Sequence, residues 1–424
     1  MTAFLVCAAL IPQSAIQRNM EETADYYEQI PQYTQIIDGA RGTLIHNSAD
    51  ETWMSIAYCY NPAHPLESAM WSNYYLATHM GIHDSFLKAV REELHVVANQ
   101  QYLRYWHGAA GIIRLCHVFW NIRKIFVILA VAVTTLTAIL FAMLWKIGFR
   151  AEAMCFLLSL TMISVWAVPF CLEYVWVFLI MLMASILAVR LVKKSLTKDL
   201  GMLFLISGMM TVYLDFLSAE TLTLLIPLLL VLRVSREEAY KSDCLWLAST
   251  KLMILWSIGY LGAWAMKWVI ASVVLGENVM PLVQSHISQR IGGSVSLPLS
   301  EFLFQAVLRN IRSLFPFDYG VVGAGIMLFL VIFIVWPVYK NKVHVREDVN
   351  LSRVTLYIII GLIPYIRFLV LHNHSYIHSF FTYRAQAATV LALCFIILEL
   401  VEPTFTHRKA VKIHGSDNPH ALSK

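Results

Sequence analysis

Residues 124–147 read KIFVILAVAVTTLTAILFAMLWKI, an uncharged and mostly apolar run from Ile125 to Trp145 closed at either end by Lys124 and Lys146. A helix needs about 20 such residues to cross a ~30 Å hydrocarbon core, so this stretch predicts a membrane span. Working outward, comparable stretches recur at 153–170, 172–189, 200–217, 220–233, 245–273, 319–339, 353–371 and 385–401. Residues 1–16 read as a first, short, uncleaved span. The chain is 58% hydrophobic and only 14% charged, with a mean hydropathy of +0.63, whereas soluble domains carry about 25% charged residues. The expected fold is all-α and polytopic, with about ten transmembrane helices and a long helical first outer loop.

The charges set an orientation. Lys146 and Arg150 follow the second stretch, and Arg190, Lys193, Lys194 and Lys198 the fourth. Arg233, Arg236 and Lys241 follow the sixth, Lys340, Lys342 and Arg346 the eighth, and His407, Arg408, Lys409 and Lys412 the tenth. Basic connectors at every second turn follow the positive-inside pattern and predict a multi-pass plasma-membrane protein with both termini cytoplasmic. The net charge of +5 is spread over these short connectors and is no nucleic-acid footprint. The expected organisation is a first span at 1–16, an extracytoplasmic loop at 17–122, a bundle of about nine spans at 123–401 and a basic tail at 402–424. Seven cysteines without a CxxC pair give no disulfide framework.

Within 17–122, the stretches 65–71 and 84–90 carry apolar residues at helical spacing. Residues 101–125, with Trp106, Phe119 and Trp120 beside Arg114, Arg123 and Lys124, read as an interfacial helix lying on the bilayer.

Five constellations carry chemistry, each with a plainer reading beside it. Asn47-Ser48-Ala49-Asp50-Glu51 offers a general base or a cation ligand, or simply opens a helix with Ser48 or Asp50 as its cap. Glu21, Glu22 and Asp25 form an acidic face best read as solvated. Tyr102-Leu103-Arg104-Tyr105-Trp106-His107-Gly108 pairs a guanidinium fork suited to phosphate with rings that stack on a sugar, or forms an aromatic belt with a snorkelling Arg. Asp215 stands at the end of a span, where an acid reads as functional by default, and Glu173 is a weaker instance of the same kind. His372, His374 and His378 are spaced wrongly for one zinc ion on a helix or a strand. With Tyr383 and Arg384, His374 and His378 suit hydrogen bonding to phosphate and sugar hydroxyls, or line a wet interfacial loop. Lys267 is a further phosphate contact or a snorkelling Lys. No Walker A, GxSxG or HExxH sequence occurs, which speaks against an ATP-driven pump, a serine hydrolase and a zinc protease.

The span count, the long first outer loop with its juxtamembrane helices, and the acidic pair Asp50-Glu51 together resemble the GT-C class of integral membrane glycosyltransferases. The resemblance implies inverting transfer from a polyprenyl-phosphate sugar to a glycan or lipid acceptor on the outer face, in contact with membrane lipids. Asp50 or Glu51 would take the acceptor proton, and Arg104, His107 and Arg384 would hold the phosphate. Asp215 would bind a divalent cation (Mg or Mn) or orient the acceptor, while Trp106 and Tyr383 would stack on sugar or prenyl chain. Asp50 lies over thirty residues beyond the first apolar stretch, farther than that family usually places its acid. The rival readings are a transporter or flippase of a lipid-linked or anionic solute, and a non-catalytic assembly protein for surface polysaccharide.

Overall fold

Backbone placed in hydrocarbon must satisfy its own polar groups, and for apolar runs of this length the helix does so. The computed structural model describes residues 1–91, 97–195, 197–235, 242–292, 297–339 and 343–403. It is 77% helical. Its described strands are two short antiparallel pairs, β1 (Tyr33–Gln35) with β2 (Leu44–His46) and β3 (Val343–Val345) with β4 (Val401–Pro403). The fold is all-α.

An N-terminal unit holds α1 (Thr2–Ala9), α2 (Gln13–Glu28), α3 (Asn47–Tyr58), α4 (Pro65–Trp71), α5 (Ile82–Arg91) and α6 (Gly108–His117). The bundle that follows opens with α7 (Ile122–Lys146), α8 (Arg150–Met162), α9 (Leu172–Lys193), α10 (Leu200–Leu214), α11 (Leu222–Val234) and α12 (Ser242–Leu275). It continues through α13 (Met280–Gly292), α14 (Leu299–Arg312), α15 (Gly320–Tyr339), α16 (Leu351–Val370), α17 (His372–Ile377), α18 (Ser379–Thr382) and α19 (Ala387–Leu400).

Among the described residues, five helices are long and apolar enough to cross a membrane: α7, α9, residues Leu245–Leu275 of α12, α16, and the run Ser379–Leu400 that contains α18 and α19. α15 also runs the length of the expected stretch 319–339, and other expected spans give shorter or divided helices for local reasons. The stretch 153–170 breaks after Met162, where Ser164 takes a left-handed φ of 53° and Pro169 follows in a short 3₁₀ turn. The stretches 200–217 and 220–233 give helices of 15 and 13 residues, separated by a turn built on Asp215. Residues 1–16 do not form one helix: α1 has eight residues, about 12 Å of rise, and α2 starts afresh at Gln13. Residues 101–125 likewise divide, because His107 is left-handed (φ 55°) and α6 and α7 are separate helices, the second capped by the Asn121 side chain. The connector residues Arg236, Lys241, Lys340 and Lys342, and the tail from 404 onward, lie outside the described residues.

Close packing in the bundle relies on small residues. α10 and α12 cross where a Cβ on Gly208 would stand 2.2 Å from the Trp256 carbonyl, and one on Gly259 would stand 2.1 Å from the Leu205 carbonyl. Van der Waals contact of this kind replaces the missing hydrophobic drive between helices in lipid.

Two buried cations tie the N-terminal unit together and to the bundle without any acid. Lys267 of α12 is fully buried and donates to the carbonyls of Ala69 and Met70 at 3.3 and 2.8 Å, capping the C-terminus of α4, with its ammonium 5.6 Å from the Trp106 ring centre. Arg114 of α6 donates to the Ala57 and Tyr58 carbonyls at the end of α3 and to that of Ile11. The negative end of a helix dipole favours a cation at both sites. Lys267→Met is therefore expected to lower stability by about 2 kcal/mol through the lost charged hydrogen bonds. A thermal melt of the detergent-solubilised protein reads this, and an unchanged midpoint would disprove the pin.

Candidate functional site

The β1–β2 pair delivers the first site residue. His46 is the last residue of β2, paired with Tyr33, whose ring stacks on the imidazole at 4.8 Å and 8°. α3 starts at the next residue, so Ser48, Ala49 and Thr52 on its first turns face the same way into a cavity of about 180 Å³. The bundle supplies the opposite walls: Glu173 from the head of α9, Phe216 from the turn after α10, Arg290 from α13, and His374, His378 and Phe381 from the α17–α18 corner. Tyr102 and Ile82 complete the lining. The cavity thus sits where the N-terminal unit meets one end of the bundle. The far end carries a separate network, in which Arg233 binds Glu152 at 2.9 Å and Glu399 at 2.5 Å.

Glu173 and His46 form the cavity's central polar contact, with Nδ1 of the imidazole 2.8 Å from Oε2. Burial pushes the His46 imidazole down, but the carboxylates around it, Glu173 first and then Asp50 and Glu51, together outweigh it and the net shift is upward. With Nδ1–H given to Glu173, Nε2 is left to accept, and the Ser48 hydroxyl stands 3.3 Å from it. His374 and His378 behave in the opposite sense. Burial drives His374 well below its ordinary value and His378 down to about 4, so both are neutral donors at pH 7. His378 Nδ1 is buried with no hydrogen-bond partner. Arg290 hydrogen-bonds Tyr105 and lies within the field of Glu173.

Of the residues singled out from the sequence, Ser48, Tyr102, Glu173, His374 and His378 line the cavity. The others stand behind its walls or farther away. Asp50 is fully buried, and its Oδ1 accepts from the backbone N–H of Leu172 at 2.8 Å and of Glu173 at 3.3 Å. Its Oδ2 accepts from the Tyr27 hydroxyl at 3.3 Å. It caps a helix, as the plainer reading had it, but the helix is α9 and not its own. Glu51 faces α5 and holds His83 Nδ1 at 2.5 Å. Arg104 lies 4.1 Å over the Tyr102 ring centre and meets His286 at 3.1 Å. Trp106 and His107 are buried; the indole donates to the Ala263 carbonyl and the imidazole bonds the Tyr102 carbonyl. Asp215 turns its carboxylate onto the N–H and hydroxyl of Ser218. Tyr383 and Arg384 are buried and both donate to the Gly42 carbonyl, at 2.8 and 3.1 Å. Among the described residues no group of three or more His, Cys, Asp or Glu is arranged to hold a metal ion.

The sequence reading missed His46 and Arg290 altogether and ranked Glu173 low. His46 directly precedes the acidic stretch, but nothing in the chain announces that Glu173, 127 positions on, lies against it.

Asp50 makes a titration prediction. Burial, first among its causes, pushes its carboxyl up to about 7, against the pull of the α9 N–H groups. A raised folded-state pKa stabilises below the unfolded value of about 3.8 and loses that contribution as pH rises through about 7. Asp50→Asn is expected to fold and to flatten that decline. Asp50→Ala leaves two N–H groups of α9 without an acceptor and is expected to cost about 1–3 kcal/mol. Thermal melts of both variants from pH 4 to 8 check the pair.

No protein-family model, curated protein or solved structure matches this chain.

Proposed function

We propose that the chain is a membrane glycosyltransferase that moves a sugar from a polyprenyl-phosphate donor to an acceptor hydroxyl in the cavity at the end of its bundle. The observation that carries the reading is one juxtaposition: the His46–Glu173 dyad faces Arg290 and the neutral pair His374 and His378 across a single space. His46 Nε2 takes the acceptor proton, and Glu173 holds the imidazole in the tautomer that can do so and supports the charge that develops. Arg290 offsets the negative charge on the departing phosphate, and the two neutral imidazoles donate hydrogen bonds to it. Tyr102, Phe216 and Phe381 offer ring faces to a sugar or an isoprene unit. On this reading the cavity opens at the outer face of the plasma membrane, and the basic connectors and both termini are cytoplasmic. Asp50 serves the same site from behind, by fixing the head of α9 that carries Glu173.

The test uses the full chain in proteoliposomes with polyprenyl-phosphate donors carrying a radiolabelled sugar. Label is expected on an added glycan or lipid acceptor, and Arg290→Gln is expected to raise the donor KM about tenfold or more, the weight of one charged hydrogen bond. Label that crosses the bilayer still attached to its lipid would instead indicate a flippase. Label that neither moves nor transfers, in protein that melts cooperatively, would sink the proposal.

A further inference from the structure

We propose that Ser48 is a nucleophile and that the same cavity carries a second chemistry, acyl transfer from a carboxylic ester. Ser48 Oγ stands 3.3 Å from His46 Nε2, and His46 Nδ1 stands 2.8 Å from Glu173 Oε2. A hydroxyl, a base within hydrogen-bond reach and a third group orienting that base are what serine nucleophiles require, in whatever chain order they occur. Here the order is His, Ser, Glu, and the serine has no GxSxG around it. The constellation is therefore invisible to a motif and visible only as geometry.

The surroundings support more than a chance contact. Ser48 lies at a strand-to-helix junction, with β2 ending at His46 and α3 starting at Asn47, so its hydroxyl shares the positive end of the α3 dipole. Its own N–H donates to the Gln32 carbonyl at 3.2 Å, which fixes the backbone. The imidazole is held in plane by the Tyr33 ring on one side and by the edge-on Phe380 ring at 5.6 Å. Across the cavity, His378 Nδ1 is buried without a partner and Arg290 carries a positive charge. Both suit an oxygen that becomes negative.

The step balances without a co-reactant beyond an alcohol or water. Ser48 Oγ attacks the ester carbonyl as its proton passes to His46 Nε2. The tetrahedral intermediate expels the alcohol, which takes that proton, and leaves Ser48 acylated. A sugar hydroxyl or water, deprotonated by His46, then attacks the acyl carbonyl and releases Ser48 with its proton restored from the imidazolium.

A fluorophosphonate reagent on the reconstituted full chain, read by peptide mass spectrometry, tests this without any sugar donor. A failure to label therefore leaves the glycosyl-transfer reading standing, and a failure of sugar transfer leaves this one standing. One equivalent of adduct is expected on Ser48, none in Ser48→Ala, and labelling about 10²-fold slower in His46→Gln. The wild-type rate is expected to rise with pH through a single ionisation above 6.5, as the upward-shifted His46 loses its proton. This pH profile requires no variant to fold. An absent Ser48 adduct, a flat profile, or a His46→Gln rate equal to wild type would each overturn the assignment.

Discussion

Glu173→Gln is expected to lower sugar transfer about 10²- to 10⁴-fold, the weight of a positioned general base and its orienting partner. Glutamine keeps the shape of the side chain, and its carbonyl can still accept from Nδ1, but it brings no charge to support the imidazolium. Its amide can also present N–H to Nδ1 and move the proton to Nε2, the wrong tautomer for a base. The fold should survive, because the N–H of Glu173 stays bonded to Asp50 and its backbone stays in the first turn of α9. A large fall in kcat with a near-native melt is the expected pair of readings. A Glu173→Gln enzyme within threefold of wild type would return the search for a base to Glu51, whose Oε2 is buried and without a partner.

The second large effect concerns stability. Arg367 of α16 binds Glu220 through both carboxylate oxygens, at 2.9 and 3.2 Å, with both side chains buried. It also donates to the Leu217 carbonyl at 2.6 Å and to the Ser375 hydroxyl at 3.2 Å, and lies 3.5 Å from His374. One guanidinium therefore joins α16, the 215–220 turn and the α17 corner that forms a wall of the cavity. Arg367→Met leaves the Glu220 charge buried and unpaired and is expected to destabilise by about 3–5 kcal/mol. Replacing both partners, as Arg367→Met with Glu220→Gln, is expected to recover much of that loss, because no bare charge remains. Chemical denaturation of the two variants in detergent decides it. Equal losses in the single and the double variant would mean that the bonds to Leu217 and Ser375 outweigh the ion pair.

Two charges read as candidate site residues in the chain, Asp50 and Lys267, are structural in the same way, and so is Arg114, read there only as part of an interfacial helix. Asp50 sits at the N-terminus of α9, and Lys267 and Arg114 sit at the C-termini of α4 and α3. Each is buried against the end of a helix from elsewhere in the chain instead of an opposite charge. A sequence reader sees an acid without a base, or a base without an acid, and infers a ligand. The partial charge that answers it belongs to backbone groups and leaves no mark in the residue string. Tyr383 and Arg384 are a variant of this, since both are satisfied by the carbonyl of Gly42, more than 340 positions away.

Read alone, the chain determined that the protein is helical and apolar enough to cross a membrane, because hydrocarbon leaves a long uncharged run no other way to satisfy its backbone. The stretches around 124–147, 172–189, 245–273, 319–339, 353–371 and 385–401 correspond to helices within a few residues of their bounds. Shorter runs were read less well, since a Pro, a left-handed serine or an Asp-headed turn divides them and apolar character persists across the break. The candidate site was decided by tertiary structure alone. His46, Ser48, Glu173, Arg290, His374 and His378 are brought to one cavity by the docking of a strand-to-helix junction on the end of the bundle. Hydrophobic periodicity records which face of a helix is buried, but carries no information about which distant side chain that face will meet.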